Sequence, residues 1–108
     1  MLWRVEALDE SVVREIEALP ADMQARFLRI AERVRSIGLA NVGEPHVKHI
    51  EGKLWEIRMS GRDGIGRAIY VAATGRRVVV LHAFMKKTQK TPRSAIELAL
   101  ARAKRIQP

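Results

Sequence analysis

The feature that most constrains the fold of this chain is the run Val78–Leu81, four successive branched apolar residues. Successive side chains of a strand point to opposite faces of its sheet, so this run is apolar on both faces. A strand of that kind belongs inside a sheet rather than at an exposed edge. The sequence therefore predicts a sheet in which the segment Arg76–Met85 holds a central position.

Shorter patterns predict the other strands. Leu2–Leu8 alternates as a short opening strand does, and Leu54–Met59 and Arg67–Ala72 read as two further strands. Thr74–Gly75 then suits a hairpin turn before the central strand. The segment Leu39–Lys53 contains Asn, Gly and Pro residues, so it is predicted to be a loop.

Apolar residues at helical spacing predict three helices. The first begins at a cap, Asp9 or Ser11, and Pro20 suits the first turn of the second. The second carries one apolar stripe, has arginines along its flanks and outer face, and stops at Gly38. Thr91–Pro92 reads as the N-cap and first turn of the last helix. The order β-α-α-β-β-β-α predicts a single α+β domain over residues 1–108, with a helix hairpin packed on a small, mainly antiparallel sheet.

Charge is distributed unevenly along the chain. Residues 44–93 hold eleven Lys or Arg against four Asp or Glu, a net +7 of the formal +8. The first 43 residues are net −1. A basic set of this size predicts an anionic partner, which could be nucleic acid, an acidic protein or a membrane surface.

Several classes of site find no support in the sequence. There is no cysteine, which excludes disulfides and fits a reducing, cytoplasmic setting. No apolar run reaches the roughly 20 residues that span a bilayer, and Met1–Glu10 lacks a signal-peptide layout. His46 and His49 lie three apart, but His82 is distant and no carboxylate cluster completes a ligand set. We therefore expect neither a metal nor another cofactor, and no membrane association.

The basic residues suit cleavage of an RNA backbone by its own 2′-hydroxyl. That reaction requires stabilisation of charge on a pentacoordinate phosphorus, which Arg and Lys provide. It also requires proton transfer, for which His82 or a lysine of depressed pKa is the natural candidate. Alternation places Arg58 with Glu56, opposite Ile57, so Arg58 is expected to project from the open face of the sheet. Alternation likewise groups His82 with Val78, Val80 and Phe84, and a buried role and a functional role of His82 both stay open.

Three motifs together resemble the RelE/ParE superfamily of toxins, and most closely its phage-derived, HigB-like branch. They are LWEIR (Leu54–Arg58), GRAIYV (Gly66–Val71) and VVVLHAFMKKTQKTP (Val78–Pro92). The resemblance implies a compact fold with a twisted antiparallel sheet. It also implies the toxin of a type II toxin–antitoxin system, a ribosome-dependent mRNA endonuclease that needs no metal. The implied partners are the ribosome, mRNA and a helix-turn-helix antitoxin with which the toxin forms a hetero-oligomer.

The basic charge, the chemistry of RNA cleavage and the resemblance together nominate individual residues. The candidates for catalysis are Arg58, Arg67, Lys86, Lys87 and His82. The candidates for RNA binding are Lys48, Lys53, Arg62 and Lys90. Some members of the superfamily use a Tyr or His beyond the last strand. This chain has no Tyr after Tyr70 and no His after His82, so the resemblance leaves the general acid and base open.

Two other functions compete with mRNA cleavage. A ParE-like toxin that poisons DNA gyrase shares the fold and needs no RNA-cleaving residues. A basic module that binds RNA or the ribosome without catalysis needs only the cations. A map of mRNA 5′ ends that shows new cuts would separate mRNA cleavage from both alternatives.

Overall fold

The computed structural model describes residues 2–88 and 90–106 and forms one five-stranded sheet with three α-helices. The elements are β1 (Arg4–Ala7), α1 (Glu10–Glu17), α2 (Ala21–Ile37), a short 3-10 turn (Leu39–Asn41), β2 (Val47–Glu51), β3 (Leu54–Gly61), β4 (Gly64–Ala73), β5 (Arg77–Lys86) and α3 (Arg93–Ala103). The strand order is β1-β5-β4-β3-β2. β1 runs parallel to β5 and the other neighbours are antiparallel.

The sheet is covered on both faces, as its most apolar strand requires. Val78 and Val80 of β5 pack into the cluster under α1 and α2, while Val79 and Leu81 pack into the cluster under α3. β5 lies between β1 and β4, which confirms the interior position predicted for it. The predicted α+β fold with a helix hairpin on a mainly antiparallel sheet is confirmed. None of the helices in the described residues is long and apolar enough to cross a membrane.

The predicted loop Leu39–Lys53 contains a strand, β2, that the sequence analysis missed. β2 pairs with β3 at the edge of the sheet, with Val47 opposite Ile57 and Lys48 opposite Glu56. Only Val47 is fully buried, and Lys48 and His49 are exposed. Polar residues are usual on an edge strand because they discourage pairing with other chains, and they also hide the strand from apolar patterning.

A β-bulge in β5 changes which residues share a face. Tyr70 lies opposite Val80 and Ile69 opposite His82, so Leu81 is an extra residue in β5. The predicted alternation is therefore wrong beyond Val80, since a bulge shifts the following residues by one position. Ala83 joins the cluster under α1 and α2. His82 and Phe84 lie on the α3 side of the sheet.

Gly66 lies within β4, where it serves close packing. The β3–β4 turn contains only Arg62 and Asp63, and β4 already begins at Gly64. A Cβ atom on Gly66 would lie 3.0 Å from the Met23 sulfur of α2, and one on Gly61 would lie 2.9 Å from Met23 Cγ. These glycines therefore let α2 approach the β3–β4 hairpin closely.

Candidate functional site

The two arginines nominated on separate strands are direct neighbours across the sheet. Arg58 of β3 lies opposite Arg67 of β4, and Arg67 lies opposite Phe84 of β5. Directly opposed side chains have their Cβ atoms only about 5 Å apart, and like charges in that position repel. Two guanidinium groups on this face of the sheet therefore require a nearby anion.

Glu56 supplies that anion, and only 1% of this residue is exposed. Its Oε1 accepts a hydrogen bond of 2.6 Å from Arg58 Nε and lies 3.9 Å from Arg67 Nε. Its Oε2 accepts a hydrogen bond of 2.7 Å from the Thr91 hydroxyl. We call Glu56, Arg58, Arg67 and Thr91 the charged cluster.

The chain that follows β5 covers the charged cluster. Arg67 is fully buried, and its Nη2 donates a hydrogen bond to the Thr88 carbonyl. Burial lowers the pKa of the Arg67 guanidinium, and the charge of Glu56 opposes that effect. Only 15% of the Arg58 side chain is exposed. The prediction that Arg58 projects from an open face is therefore wrong, because Thr88, Thr91 and α3 lie on that face.

Thr91 has a different role from the predicted one. Pro92 occupies the N-cap position of α3, and no side chain caps this helix. The Thr91 hydroxyl instead donates to Glu56 on β3. A long-range hydrogen bond to a buried carboxylate is stronger than a local cap, since a charged acceptor increases the energy of the bond.

The lysines that are predicted as site residues occupy several positions around the charged cluster. Lys86 and Lys87 are exposed at the end of β5, at the same end of the sheet as the turn that holds Arg62. Lys90 is also exposed, one residue before Thr91. The position of Lys48 opposite Glu56 places it on the face of the cluster. Lys53 lies before β3, at the opposite end of that strand from Arg62.

His82 takes part in a second polar network, which spans the free edge of β5. Its Nδ1 lies 2.9 Å from Glu15 Oε1, and Arg102 Nη1 lies 3.0 Å from Glu15 Oε2. Glu15 also accepts the backbone N–H of Ala83, and Arg102 donates to the Leu81 carbonyl. Because β1 pairs only with the first part of β5, these side chains satisfy backbone groups that have no strand partner.

The Glu15 carboxylate is expected to stabilise the fold in a pH-dependent way. Burial acts to raise the pKa of Glu15, but hydrogen bonds from His82, Ala83 and Arg102 outweigh it, and the pKa is lowered. A carboxyl group whose pKa is lowered by folding stabilises the fold at pH values above its unfolded pKa of 4.5. This contribution is lost as the pH falls through the folded pKa. The Glu15 network is therefore expected to make a measurable contribution to the free energy of unfolding, and this contribution is sensitive to acid.

We expect Glu15→Gln to lower the free energy of unfolding by about 1–3 kcal/mol at pH 7, since the variant breaks a partly buried charged network. The difference from the wild type should narrow below about pH 4.5. Urea unfolding at pH 7 and between pH 5 and 3 measures both effects. Glu17→Gln, an exposed change on the same helix, is the control. A loss at pH 7 no larger than that of the control would contradict the assignment.

A basic pocket lies between α2 and the edge of β3. It encloses about 330 Å³, and its lining residues are Arg26, Arg29, Ile30, Arg33, Pro45, His46, Arg58 and Ser60. We call it the arginine pocket. Sequence reasoning missed it because acidic residues of α1 cancel the α2 arginines in the net charge. The spacing of these arginines, at positions i, i+3 and i+7, is the signal that could have revealed one basic helix face.

A larger cavity, about 880 Å³, lies on the other side of the sheet from the charged cluster. Its walls are mostly apolar and include Trp3, Trp55 and Tyr70. Burial raises the pKa of Tyr70 to about 12, and Tyr70 packs into the cluster under α1 and α2. Tyr70 therefore lies away from the charged cluster and is poorly suited to proton transfer near neutral pH. In the part of the chain that the structure describes, no three His, Asp or Glu residues are grouped as metal ligands.

Comparison with known proteins gives one family and one fold. The model of the family described as Phage derived protein Gp49-like (DUF891) matches residues 14–104. A search of curated proteins finds no match. A chain of the archaeal RelE–RelB complex from Pyrococcus horikoshii OT3 is 21% identical with a TM-score of 0.62, over 83% of this chain and 100% of that chain. A mutant of E. coli toxin RelE in the free state is 15% identical with a TM-score of 0.62, over 94% of this chain and 98% of that chain. At these identities the likeness establishes the fold.

Proposed function

Because the chain belongs to the phage-derived Gp49-like family and has the fold of RelE toxins, we propose that it is the toxin of a type II toxin–antitoxin pair and cleaves mRNA on the ribosome. The observation that carries this proposal is the charged cluster. Arg58 and Arg67 lie side by side around a buried glutamate, and Lys86 follows at the end of the neighbouring strand.

The cost of burial supports a functional role for the cluster. Removing charged groups from water is expensive, and well-packed apolar residues in their place are often as stable or more so. Charged groups held together in such a site are typical of residues that bind or transform a ligand. The exposed Lys86 and Lys87 beside the cluster extend this basic surface to solvent.

In the proposed reaction Arg58 binds the scissile phosphate. Glu56 holds Arg58 through Nε, and Arg58 also lines the arginine pocket. Arg67 acts as a positioning residue, because it lies beside Glu56 and binds the Thr88 carbonyl. A guanidinium held in this way is preorganised to stabilise the charge that develops on phosphorus.

The bond changes follow from attack within the RNA chain. The 2′-oxygen bonds to the adjacent phosphorus as the bond from phosphorus to the 5′-oxygen breaks, which yields a 2′,3′-cyclic phosphate and a 5′-hydroxyl. The 2′-hydroxyl loses its proton to water, and the 5′-oxygen must gain one. We assign the donation of that proton to Lys86 or Lys87, because both are exposed at the end of β5, whereas His82 belongs to the network of Glu15 and Arg102. The ribosome would align the mRNA, which contributes strongly to the rate.

We further propose a cognate antitoxin as partner, in line with the RelE–RelB complex of the archaeal protein. An acidic or amphipathic segment of the antitoxin, laid over the charged cluster and the neighbouring Lys86 and Lys87, would neutralise their positive charge. A helix-turn-helix domain in that antitoxin, membership of the HigB-like branch and action in the cytoplasm belong to the same proposal. Lys48 and Lys90 are the additional RNA contacts that we favour, since both lie beside the charged cluster.

Induction of the chain in growing cells tests this function. We expect growth arrest together with new mRNA 5′ ends inside translated regions, because cleavage requires the ribosome to present the message. The measurement is sequencing of 5′ ends, with induction of the DNA-damage response followed in the same cultures. Growth arrest with uncut mRNA would contradict the proposal. A damage response in addition would favour gyrase poisoning.

A further inference from the structure

Three arginines of α2 converge on the arginine pocket from one face of the helix. Arg26, Arg29 and Arg33 are exposed and lie at positions i, i+3 and i+7, so they are neighbours on the helix surface. Like charges at this spacing repel and weaken the helix. The opposite wall of the pocket adds a fourth arginine, Arg58, together with His46 and Ser60.

Ion pairing distinguishes these three arginines from most others in the structure. The arginines with carboxylate partners include Arg35, Arg77, Arg93, Arg102 and Arg105. Among residues 2–88 and 90–106, no carboxylate lies within ion-pairing distance of Arg26, Arg29 or Arg33. No direct ion pair therefore offsets their repulsion among the described residues, and an anion in the pocket would do so.

We propose that the arginine pocket binds the phosphate backbone of RNA, at a site that adjoins the charged cluster through Arg58. Arginine suits this ligand because its planar fork donates two parallel hydrogen bonds to phosphate oxygens. Ser60 and His46 add polar residues to the lining of the pocket. This site deepens the proposed function, since it takes RNA to be the substrate.

The lining of the pocket favours RNA over an acidic protein segment. Its only apolar lining residues among those described are Ile30 and Pro45. The centre of a protein interface is usually apolar and aromatic, whereas nucleic-acid interfaces are polar and strongly positive. The arginine row also extends over seven residue steps, about 10 Å along the helix axis, which suits successive phosphates better than one carboxylate.

Arg58 connects the arginine pocket to the charged cluster. It lines the pocket, and its Nε binds Glu56 within the cluster. An RNA strand held by the α2 arginines would therefore pass directly to the residue that we propose to bind the scissile phosphate. The pocket would act as a binding extension that raises affinity and sets the direction of the strand.

Binding of a fluorescent 12-nucleotide single-stranded RNA to the purified full chain tests this inference. The triple variant Arg26→Gln, Arg29→Gln, Arg33→Gln should bind at least about tenfold more weakly. Its salt dependence should also be shallower by about 2 in logarithmic slope, since each phosphate contact on a single strand contributes about 0.7. The charge-matched control Arg14→Gln, Arg35→Gln, Lys104→Gln should bind within about twofold of the wild type, because its exposed charges lie outside the pocket. A triple lysine variant of the pocket arginines should fall between the two.

Three results would overturn the inference. The first is an equal loss of RNA binding in the pocket and control variants, which would make net charge the cause. The second is a pocket variant that keeps its RNA affinity. The third is a pocket variant that loses affinity only for a glutamate-rich peptide, which would identify a protein-docking site. Circular dichroism checks that each variant is folded. Weaker RNA binding in the pocket variant, together with a wild type that cuts no mRNA, would leave the pocket supported and the proposed function refuted.

Discussion

Replacing Arg58 with glutamine is expected to slow mRNA cleavage on the ribosome by at least about 100-fold, the usual effect of removing one preorganised donor from a developing anion. Arg58 is the arginine of the charged cluster that keeps some exposure, and Glu56 fixes its direction. Arg58→Lys should recover only a small part of the rate, because an ammonium group lacks the planar fork. Single-turnover cleavage of an mRNA on purified ribosomes measures these rates.

Arg77 provides the matched control for this experiment. Its Nε lies 2.7 Å from Glu6 Oε1, a pair of the same geometry as Arg58 and Glu56, at the far end of the sheet. Arg77→Gln should therefore leave the cleavage rate near that of the wild type. An equal loss of rate in both variants would indicate a general effect on the fold and would contradict the role assigned to Arg58.

The second large effect is expected on the free energy of unfolding, when Glu56 is removed. Glu56→Ala should lower the free energy of unfolding by about 3–5 kcal/mol, because it leaves a buried arginine without its counter-charge. Arg67 is fully buried and Glu56 is 1% exposed, so solvent screens their interaction weakly. Replacing both Glu56 and Arg67 with leucine should recover most of the lost free energy of unfolding, since an apolar pair needs no compensating charge. Urea unfolding at pH 7 measures each value.

An exposed ion pair supplies the comparison. Glu51 and Arg93 are joined by a 2.6 Å contact, but 41% and 60% of their side chains are exposed. Glu51→Ala should cost less than about 1 kcal/mol, because solvent screens such pairs. If Glu56→Ala were no more costly than Glu51→Ala, the charged cluster would not be the tightly held unit described above.

The sequence predicted the parts of the fold that rest on apolar periodicity. The run Val78–Leu81 and the stripe of α2 indicated an interior strand and a packed helix, and both are confirmed. Two features escaped because they leave no periodic signal. β2 is a polar edge strand, and the bulge at Leu81 inserts one residue without any change in composition.

For the candidate site, the sequence indicates residue types but not their arrangement. Arg58 and Arg67 are predicted as catalytic cations, and their neighbour Glu56 has no predicted role. The contact of Thr91 with Glu56 spans 35 residues of sequence, and that of Glu15 with His82 spans 67. Such pairings depend on strand register and on the path of the chain after β5, which local patterns do not encode.

The central claim is that the cations of the charged cluster, together with Lys86 and Lys87, promote cleavage of mRNA through attack by its own 2′-hydroxyl. The most direct test is the chemistry of the fragment ends made by the purified wild-type chain from a defined mRNA on ribosomes. Our account predicts a 5′-hydroxyl on one fragment and a 2′,3′-cyclic phosphate, or its hydrolysis product, on the other. Intact mRNA, or fragments that begin with a 5′-phosphate, would contradict it.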